Sequence, residues 1–145
     1  MIRVLTAEDN SQKEAAWSLF EEVYPDFESR VPFYSEYKEK VLSKALILYG
    51  EVDGSIKGVI AFYCNDSGSR TAYITQIAVK ETSRRLGIGG ILLGKCEEIS
   101  LQKGMRYLRL EVRNDNANAI RFYQGHSLQF EKKASEKSMY MIKSL

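Results

Sequence analysis

A chain of 145 residues with 21 Lys and Arg against 19 Asp and Glu carries a net charge of +2, too weak a field to argue for nucleic acid or a membrane surface. Its 44% hydrophobic and 28% charged residues lie near the globular average, which excludes a disordered chain, and the length fits one domain over 1–145 and not two. Cys64 and Cys96 stand far apart with no neighbouring His, which excludes zinc spacing and a disulfide framework and predicts two reduced thiols.

The N-terminal stretch Met1 to Asp9 turns charged too early for a signal peptide, and no window approaches the ~18 apolar residues of a membrane span, so the expected location is cytoplasmic. Ile2 to Leu5 reads as a strand. Asn10 or Ser11 can cap a helix whose apolar stripe is Ala15, Ala16, Leu19, Phe20 and Val23. Pro25 and Pro32 bracket a loop, and a second helix covers Ser35 to Leu42. Ala45 to Val52 and Ser55 to Cys64 flank Asp53-Gly54, a hairpin signal.

After a turn over Asn65 to Arg70, Thr71 to Val79 is a strand and Ile88 to Lys103 a helix with Ile88, Ile91, Leu92, Cys96 and Ile99 on one face, stopped by Gly104. Arg106 to Val112 is again a strand and Asn116 to Gln124 a short helix. Ser127 to Lys132 and Ser138 to Lys143 form a last pair of strands. The order βααβββαβαββ predicts an α/β (α+β type) fold: a mixed, mostly antiparallel sheet of about seven strands flanked by about four helices. One right-handed βαβ unit makes the Thr71 and Arg106 strands parallel.

Chemistry concentrates in Arg84-Arg85-Leu86-Gly87-Ile88-Gly89-Gly90, between a strand and a helix. Glycines let backbone approach a ligand, the helix start offers unpaired N–H groups, and two arginines add local positive charge, a combination suited to a diphosphate. The alternative is an ordinary βα turn with close helix–sheet packing. A Walker loop fails because no Lys-Ser/Thr follows the last glycine. A dinucleotide fingerprint would need its third glycine at Leu92, although Glu111 lies where a ribose-binding acid would stand.

The spacing resembles the cofactor loop [Gln/Arg]-x-x-Gly-x-[Gly/Ala] of the GNAT superfamily of acetyl-CoA-dependent N-acetyltransferases, filled by Arg84, Gly87 and Gly89. The likeness extends to Ile77-Ala78-Val79 in the preceding strand and to Leu108-Arg109-Leu110-Glu111-Val112-Arg113 in the following one. It reaches Asn116, Ala119 and Tyr123, which match Asn-x-x-Ala-x-x-x-Tyr. Ser127-Leu128 departs from the Gly-Phe usual in the family, with Gly125 available to supply a positive φ earlier.

The resemblance implies that the fourth and fifth strands splay and that backbone groups of Gln76, Ile77 and Val79, with Ala78 between them, hold the pantetheine arm of acetyl-CoA. No metal is implied. Arg84 to Gly90 would hold the diphosphate and Asn116 would reach the cofactor chain, although Asn116 also reads as a helix cap. Tyr123 matches the family's general acid; periodicity alone makes it a core tyrosine. Glu111 occupies the place of a glutamate base in members that acetylate ribosomal-protein N-termini, against a plain ion pair with Arg109 or Arg113. A covalent route through Cys64 or Cys96 competes poorly, since both fall on apolar faces, and His126 reads as an exposed loop residue.

The expected acceptor is a small-molecule or peptide amine, with an amino sugar suggested by the Ala61 to Asp66 and Ala72 to Thr75 segments and a peptide N-terminus by the Glu111 string. Phe20, Tyr24, Phe27, Phe33, Tyr34 and Tyr37 with Glu21, Glu22, Asp26 and Glu28 form an aromatic, acidic set that suits a cationic amine or, equally, a core with a solvated face. A homodimer is left open. The reading from another class is a nucleotide- or acetyl-CoA-binding module without catalysis.

Overall fold

The computed structural model describes residues 1–145. Seven strands, β1 (Ile2–Thr6), β2 (Leu46–Val52), β3 (Ser55–Tyr63), β4 (Thr71–Val79), β5 (Tyr107–Arg113), β6 (Gln129–Lys133) and β7 (Ser138–Ser144), form one sheet in the order β1-β2-β3-β4-β5-β7-β6. Only the β4–β5 pair is parallel. Five helices accompany it: α1 (Asn10–Val23), α2 (Phe27–Arg30), α3 (Tyr34–Lys44), α4 (Ile88–Gln102) and α5 (Ala117–Gly125). The sheet and its single parallel crossover are as the sequence predicts, and α2 and a 3₁₀ turn over Glu81–Leu86 add to the four expected helices.

Alternating side chains divide the core into two layers. Leu108, Leu110 and Val112 of β5 point to the face where Ile88, Leu92, Leu93 and Cys96 of α4 and Tyr123 of α5 are buried. On the other face Trp17, Phe20, Phe27 and Val41 of α1–α3 cover Ile47 and Tyr49 of β2, Val59 and Ala61 of β3 and Ala78 of β4. That second layer contains no residue of β5, β6 or β7, so their α1-side face stays open. Glycines set how closely α4 sits: a Cβ on Gly58 would lie 2.7 Å from Ile88 Cγ2 and 3.0 Å from Leu92 Cδ1. Asp53 and Gly54 both take positive φ (52° and 79°), as the two-residue hairpin turn requires.

Several local expectations are corrected. Asp9, not Asn10 or Ser11, caps α1: its side chain accepts from the Gln12 N–H at 2.7 Å while Gln12 Oε1 accepts from the Asp9 N–H at 3.2 Å, a reciprocal capping box. The stretch between Pro25 and Pro32 is not merely loop, because Phe27, 1% exposed, anchors the turn of α2 in the aromatic core. Ile91 is 43% exposed and Leu93 takes its place inside, since the trench made by Gly50 and Gly58 fixes the rotation of α4 about Ile88 and Leu92. Before β6 the positive φ falls on Ser127 (70°), not on Gly125.

Candidate active site

The site begins where two strands part. β4 and β5 pair from Thr71↔Tyr107 to Ile74↔Leu110 and no further, so Thr75 to Val79 and Glu111 to Arg113 diverge. On the other side of β4 the register with β3 shifts at Ala61/Phe62, leaving Thr75 as the extra residue of a β-bulge, and the Thr75 Oγ1 lies 2.5 Å from the Tyr37 hydroxyl. Beyond the bulge, the Lys80 N–H donates to the Lys57 carbonyl at 2.8 Å. Antiparallel pairs alternate between exchanging hydrogen bonds and not, which turns the N–H and C=O of Ala78 and Gln76 toward β3 and those of Ile77 and Val79 toward the gap. The Ile77 carbonyl is taken by the Tyr24 hydroxyl, which donates to it at 2.7 Å.

The glycine loop lies at the same end of β4. Gly87 has φ 74° with nothing within 4 Å of where a Cβ would stand, and it starts α4 with no side-chain cap. The first-turn N–H groups of Ile88, Gly89 and Gly90 therefore face outward, beside Arg84 and Arg85, both exposed. Gly89 and Gly90 also have a packing reason: a Cβ on Gly89 would meet Phe122 Cζ at 3.2 Å, and one on Gly90 would meet His126 Cε1 at 3.1 Å. His126 is accordingly half-buried against Phe122, with ring centroids 4.7 Å apart, and is not the exposed loop residue expected. Asn116 caps α5, its Oδ1 accepting from the Ala119 N–H at 3.2 Å, which leaves its amide N–H₂ free. Leu86 is 53% exposed on the rim of the loop.

Two phenols reach this end of the sheet. Tyr123 is 8% exposed, and burial, with the nearby Tyr24 phenol, pushes its pKa above the ordinary tyrosine value, so it holds its proton. Its hydroxyl bonds to no group of the chain and, since no fully enclosed polar side-chain atom lacks a partner, it is not completely enclosed. Tyr24 is also raised by burial, against the opposing charges of Arg84 and Arg30.

Glu111 stands on the open side of β5. Arg109 makes a bidentate pair with Glu131 at 2.7 Å and Arg113 pairs with Asp115 at 3.3 Å, so neither neutralises Glu111, contrary to the ion pair anticipated as an alternative. Its one side-chain partner is Ser138 of β7, whose hydroxyl donates to Oε2 at 2.5 Å. Tyr73 faces Arg109 in the β4–β5 register, two residues before Glu111, and burial and then the Glu111 charge raise its pKa. Ser138 had no local sequence signal; only the β5–β7 register brings it near.

The aromatic set of the N-terminal third is mostly architecture. Phe20 and Phe27 are buried, the Trp17 indole N–H donates to the Tyr34 hydroxyl at 2.7 Å, and that hydroxyl donates to Glu21 at 2.6 Å. Phe33, 81% exposed, stands outside it. Tyr24 and Tyr37 alone extend from the set to β4. Cys96 is buried and Cys64 half-buried, with burial raising the pKa of each, and neither reaches the gap chemistry.

The parted strands, the uncapped glycine start of α4 and the free phenol fit the chemistry of a pantetheine and its diphosphate. The chain is similar over all its length to the IAA acetyltransferase of Bacillus cereus, at 20% identity with a TM-score of 0.78 and 100% of both chains covered. It is also similar to the PaiA N-acetyltransferase of Thermoplasma acidophilum, solved in complex with coenzyme A (19%, TM-score 0.80, 100% of this chain and 99% of that one). The ribosomal-protein-S18-alanine N-acetyltransferase of Escherichia coli matches at 18% identity with a TM-score of 0.75, over 100% of this chain and 93% of that one. These likenesses establish the fold, and the sequence profile of the "Acetyltransferase (GNAT) family" matches residues 12–127, from α1 through the turn after α5. With that match spanning every part of the gap and its loop, the chain belongs to the GNAT family of acetyltransferases.

Proposed function

We propose that the whole of 1–145 is one N-acetyltransferase domain that moves an acetyl group from acetyl-CoA to a primary amine by direct attack within a ternary complex. The observation that carries this reading is that β4 and β5 part beyond Ile74↔Leu110 beside the uncapped glycine start of α4, with the Tyr123 phenol, bonded to no group of the chain, close to the Tyr24 that binds Ile77 of the gap. A phenol with no partner in the chain is available to a ligand, and together with Glu111, held by no cation, it argues against a binding module without catalysis. Acetyl-CoA supplies the acetyl group as a thioester. Arg84 to Gly90 would hold its diphosphate, the gap-facing groups of Ile77 and Val79 its pantetheine, and the Asn116 amide its chain.

The chain's residues then divide the proton work. Glu111 accepts the proton of the ammonium acceptor, directly or through water; it has no cation to hold it and only the Ser138 hydroxyl bonded to it. Tyr123 keeps a proton for the sulfur that departs, because a phenol of pKa near or above about 10 can donate to a thiolate whose acid lies near 8.5. The Ile77 N–H faces the gap and would donate to the thioester oxygen as negative charge develops on it. With Cys96 buried and Cys64 tied to Ser100 at 3.5 Å, no acetyl-enzyme is required.

The open α1-side face of β5 and β7 is the acceptor side, where Tyr73 and Glu111 stand. It suits an amino sugar or a peptide N-terminal amine, and a cytoplasmic setting agrees with both. No helix is long and apolar enough to cross a membrane. The test is a thioester-consumption screen against amino sugars, polyamines, free amino acids and peptide amines. We expect CoA release with one of these classes; acetyl-CoA bound without turnover by any of them would favour the binding module.

A further inference from the structure

The chemistry above uses Tyr123 and leaves the second phenol of the gap unexplained. Tyr24 lies 53 residues before the atom it binds, and its hydroxyl donates to the Ile77 carbonyl at 2.7 Å. Several contacts hold it there. Tyr24 ends α1 with its N–H on the Phe20 carbonyl at 2.9 Å, and its own carbonyl accepts from the Phe27 N–H at 2.9 Å. Its ring packs on Phe27 with centroids 6.2 Å apart, under the Arg30 guanidinium at 5.9 Å. Nearby, Glu22 of the same helix end pairs with Lys80, just past β4, at 3.4 Å. A side chain fixed from so many directions is preorganised, and it spends its proton on one backbone group of the gap.

That group matters because β4 offers the gap two equivalent places. Ile77 and Val79 each turn an N–H and a C=O to it, two residues or about 6.6 Å apart, so an extended amide-bearing arm could lie on β4 in either of two registers. We propose that Tyr24 is a positioning residue for the acyl donor. With one lone pair of the Ile77 carbonyl already taken and the Tyr24 hydroxyl standing against it, the Val79 carbonyl is the less obstructed acceptor for an amide N–H of the pantetheine arm, and the arm is biased to that register. The Ile77 N–H is then left as a donor beside an acceptor already engaged, the environment a developing oxyanion needs. This assignment rests on the acetyl-CoA reading above.

The experiment compares binding of CoA with binding of its nucleotide half, 3′-phosphoadenosine 5′-diphosphate, by titration calorimetry on the full chain, together with steady-state transfer. Tyr24→Phe removes the hydroxyl and keeps the ring on Phe27. We expect its Kd for the nucleotide half to stay within about twofold of wild type, because the Arg84 to Gly90 loop is untouched. The advantage of CoA over the nucleotide half should not shrink, because the Val79 carbonyl remains; instead the freed Ile77 carbonyl admits the second, non-productive register, so kcat and the KM for acetyl-CoA should fall together, by about twofold or more for two equivalent places. Tyr34→Phe is the control: it removes a hydroxyl bonded to Trp17 and Glu21 in the same aromatic layer, and should lower stability while preserving kcat and KM. An unchanged kcat and KM in Tyr24→Phe, a CoA advantage that shrinks there, or an equal joint fall of kcat and KM in Tyr34→Phe, would reduce Tyr24 to a structural residue. If wild type binds neither ligand, the acetyl-CoA reading falls first and this one with it; if it binds both equally, the loop is a nucleotide site and the register argument is wrong.

Discussion

The two layers that flank the sheet treat their polar groups in opposite ways. In the α1–α3 layer nearly every aromatic polar tip is used: Trp17 on Tyr34, Tyr34 on Glu21, Tyr37 on Thr75 and Tyr24 on Ile77. On the side of α4 and α5 the groups of consequence are left free, namely the first-turn N–H groups of α4, the exposed Arg84 and Arg85, and the Tyr123 hydroxyl. Polar groups that reach accessible space with no partner in the chain are available to a ligand. The paired layer is therefore scaffold that shapes β4, and the unpaired side is where a ligand completes the set. Glu111 lies between the two extremes, bonded to one hydroxyl and to no cation.

The largest effect that can break this division is at Tyr123. Tyr123→Phe keeps the ring's packing and should lower kcat about 10²–10⁴-fold with little change in CoA affinity. A leaving thiol of lower pKa should partly rescue it. Since burial raises the Tyr123 pKa, the wild-type rate should show no alkaline limb from this phenol at the ordinary tyrosine value near 10. Near-normal kcat in the variant, measured with an identified acceptor, would return Tyr123 to the scaffold.

Glu111→Gln comes next, with an expected loss of about 10²-fold in kcat/KM below the acceptor's pKa. The sign of its pH dependence is fixed by the role: the defect should shrink as pH rises and more amine is already neutral. A pH-independent defect would make Glu111 a partner of Ser138 and nothing more. A smaller change is expected of Gly87→Val, where a β-branched residue is forced to φ 74° at a cost of about 1–2 kcal/mol. Calorimetry should show weaker CoA binding beyond what the lowered Tm explains. The smallest effect has the opposite sign: Gly94 stands inside α4 with nothing within 4 Å of its missing Cβ, so Gly94→Ala should raise stability by about 1 kcal/mol in denaturant titration and leave CoA binding alone.

The same contrast decides what could be read from the chain before folding. The unpaired side is local: Arg84 to Gly90, Asn116 and Tyr123 lie within consecutive elements of the β4 to α5 stretch, so glycine placement and helical spacing reveal them together. The alternation Leu108, Leu110, Val112 against Arg109, Glu111, Arg113 likewise gives the inward and outward faces of β5 without a structure. The paired layer is non-local. Tyr24 to Ile77 joins residues 53 positions apart, and outside that layer Ser138 to Glu111 joins residues 27 apart; no periodicity encodes such partners. Glu111 forms no ion pair with Arg109 for that reason, because Arg109 finds Glu131 on β6. Helix phase went the same way: Ile91 and Leu93 are equally apolar, and only glycines on β2 and β3 decide which of them faces in.

The most direct test of the whole account is thermal melting of the wild-type protein with acetyl-CoA, CoA and NAD. A ligand that binds only the native state stabilises it by RT ln(1 + [L]/Kd), which at a concentration of about 100 Kd is roughly 2.7 kcal/mol and several degrees of Tm in a chain of this size. Groups left free at the α4 start and at the parting of β4 and β5 predict a clear rise with acetyl-CoA and CoA and none with NAD. A rise with NAD and no response to CoA would contradict it.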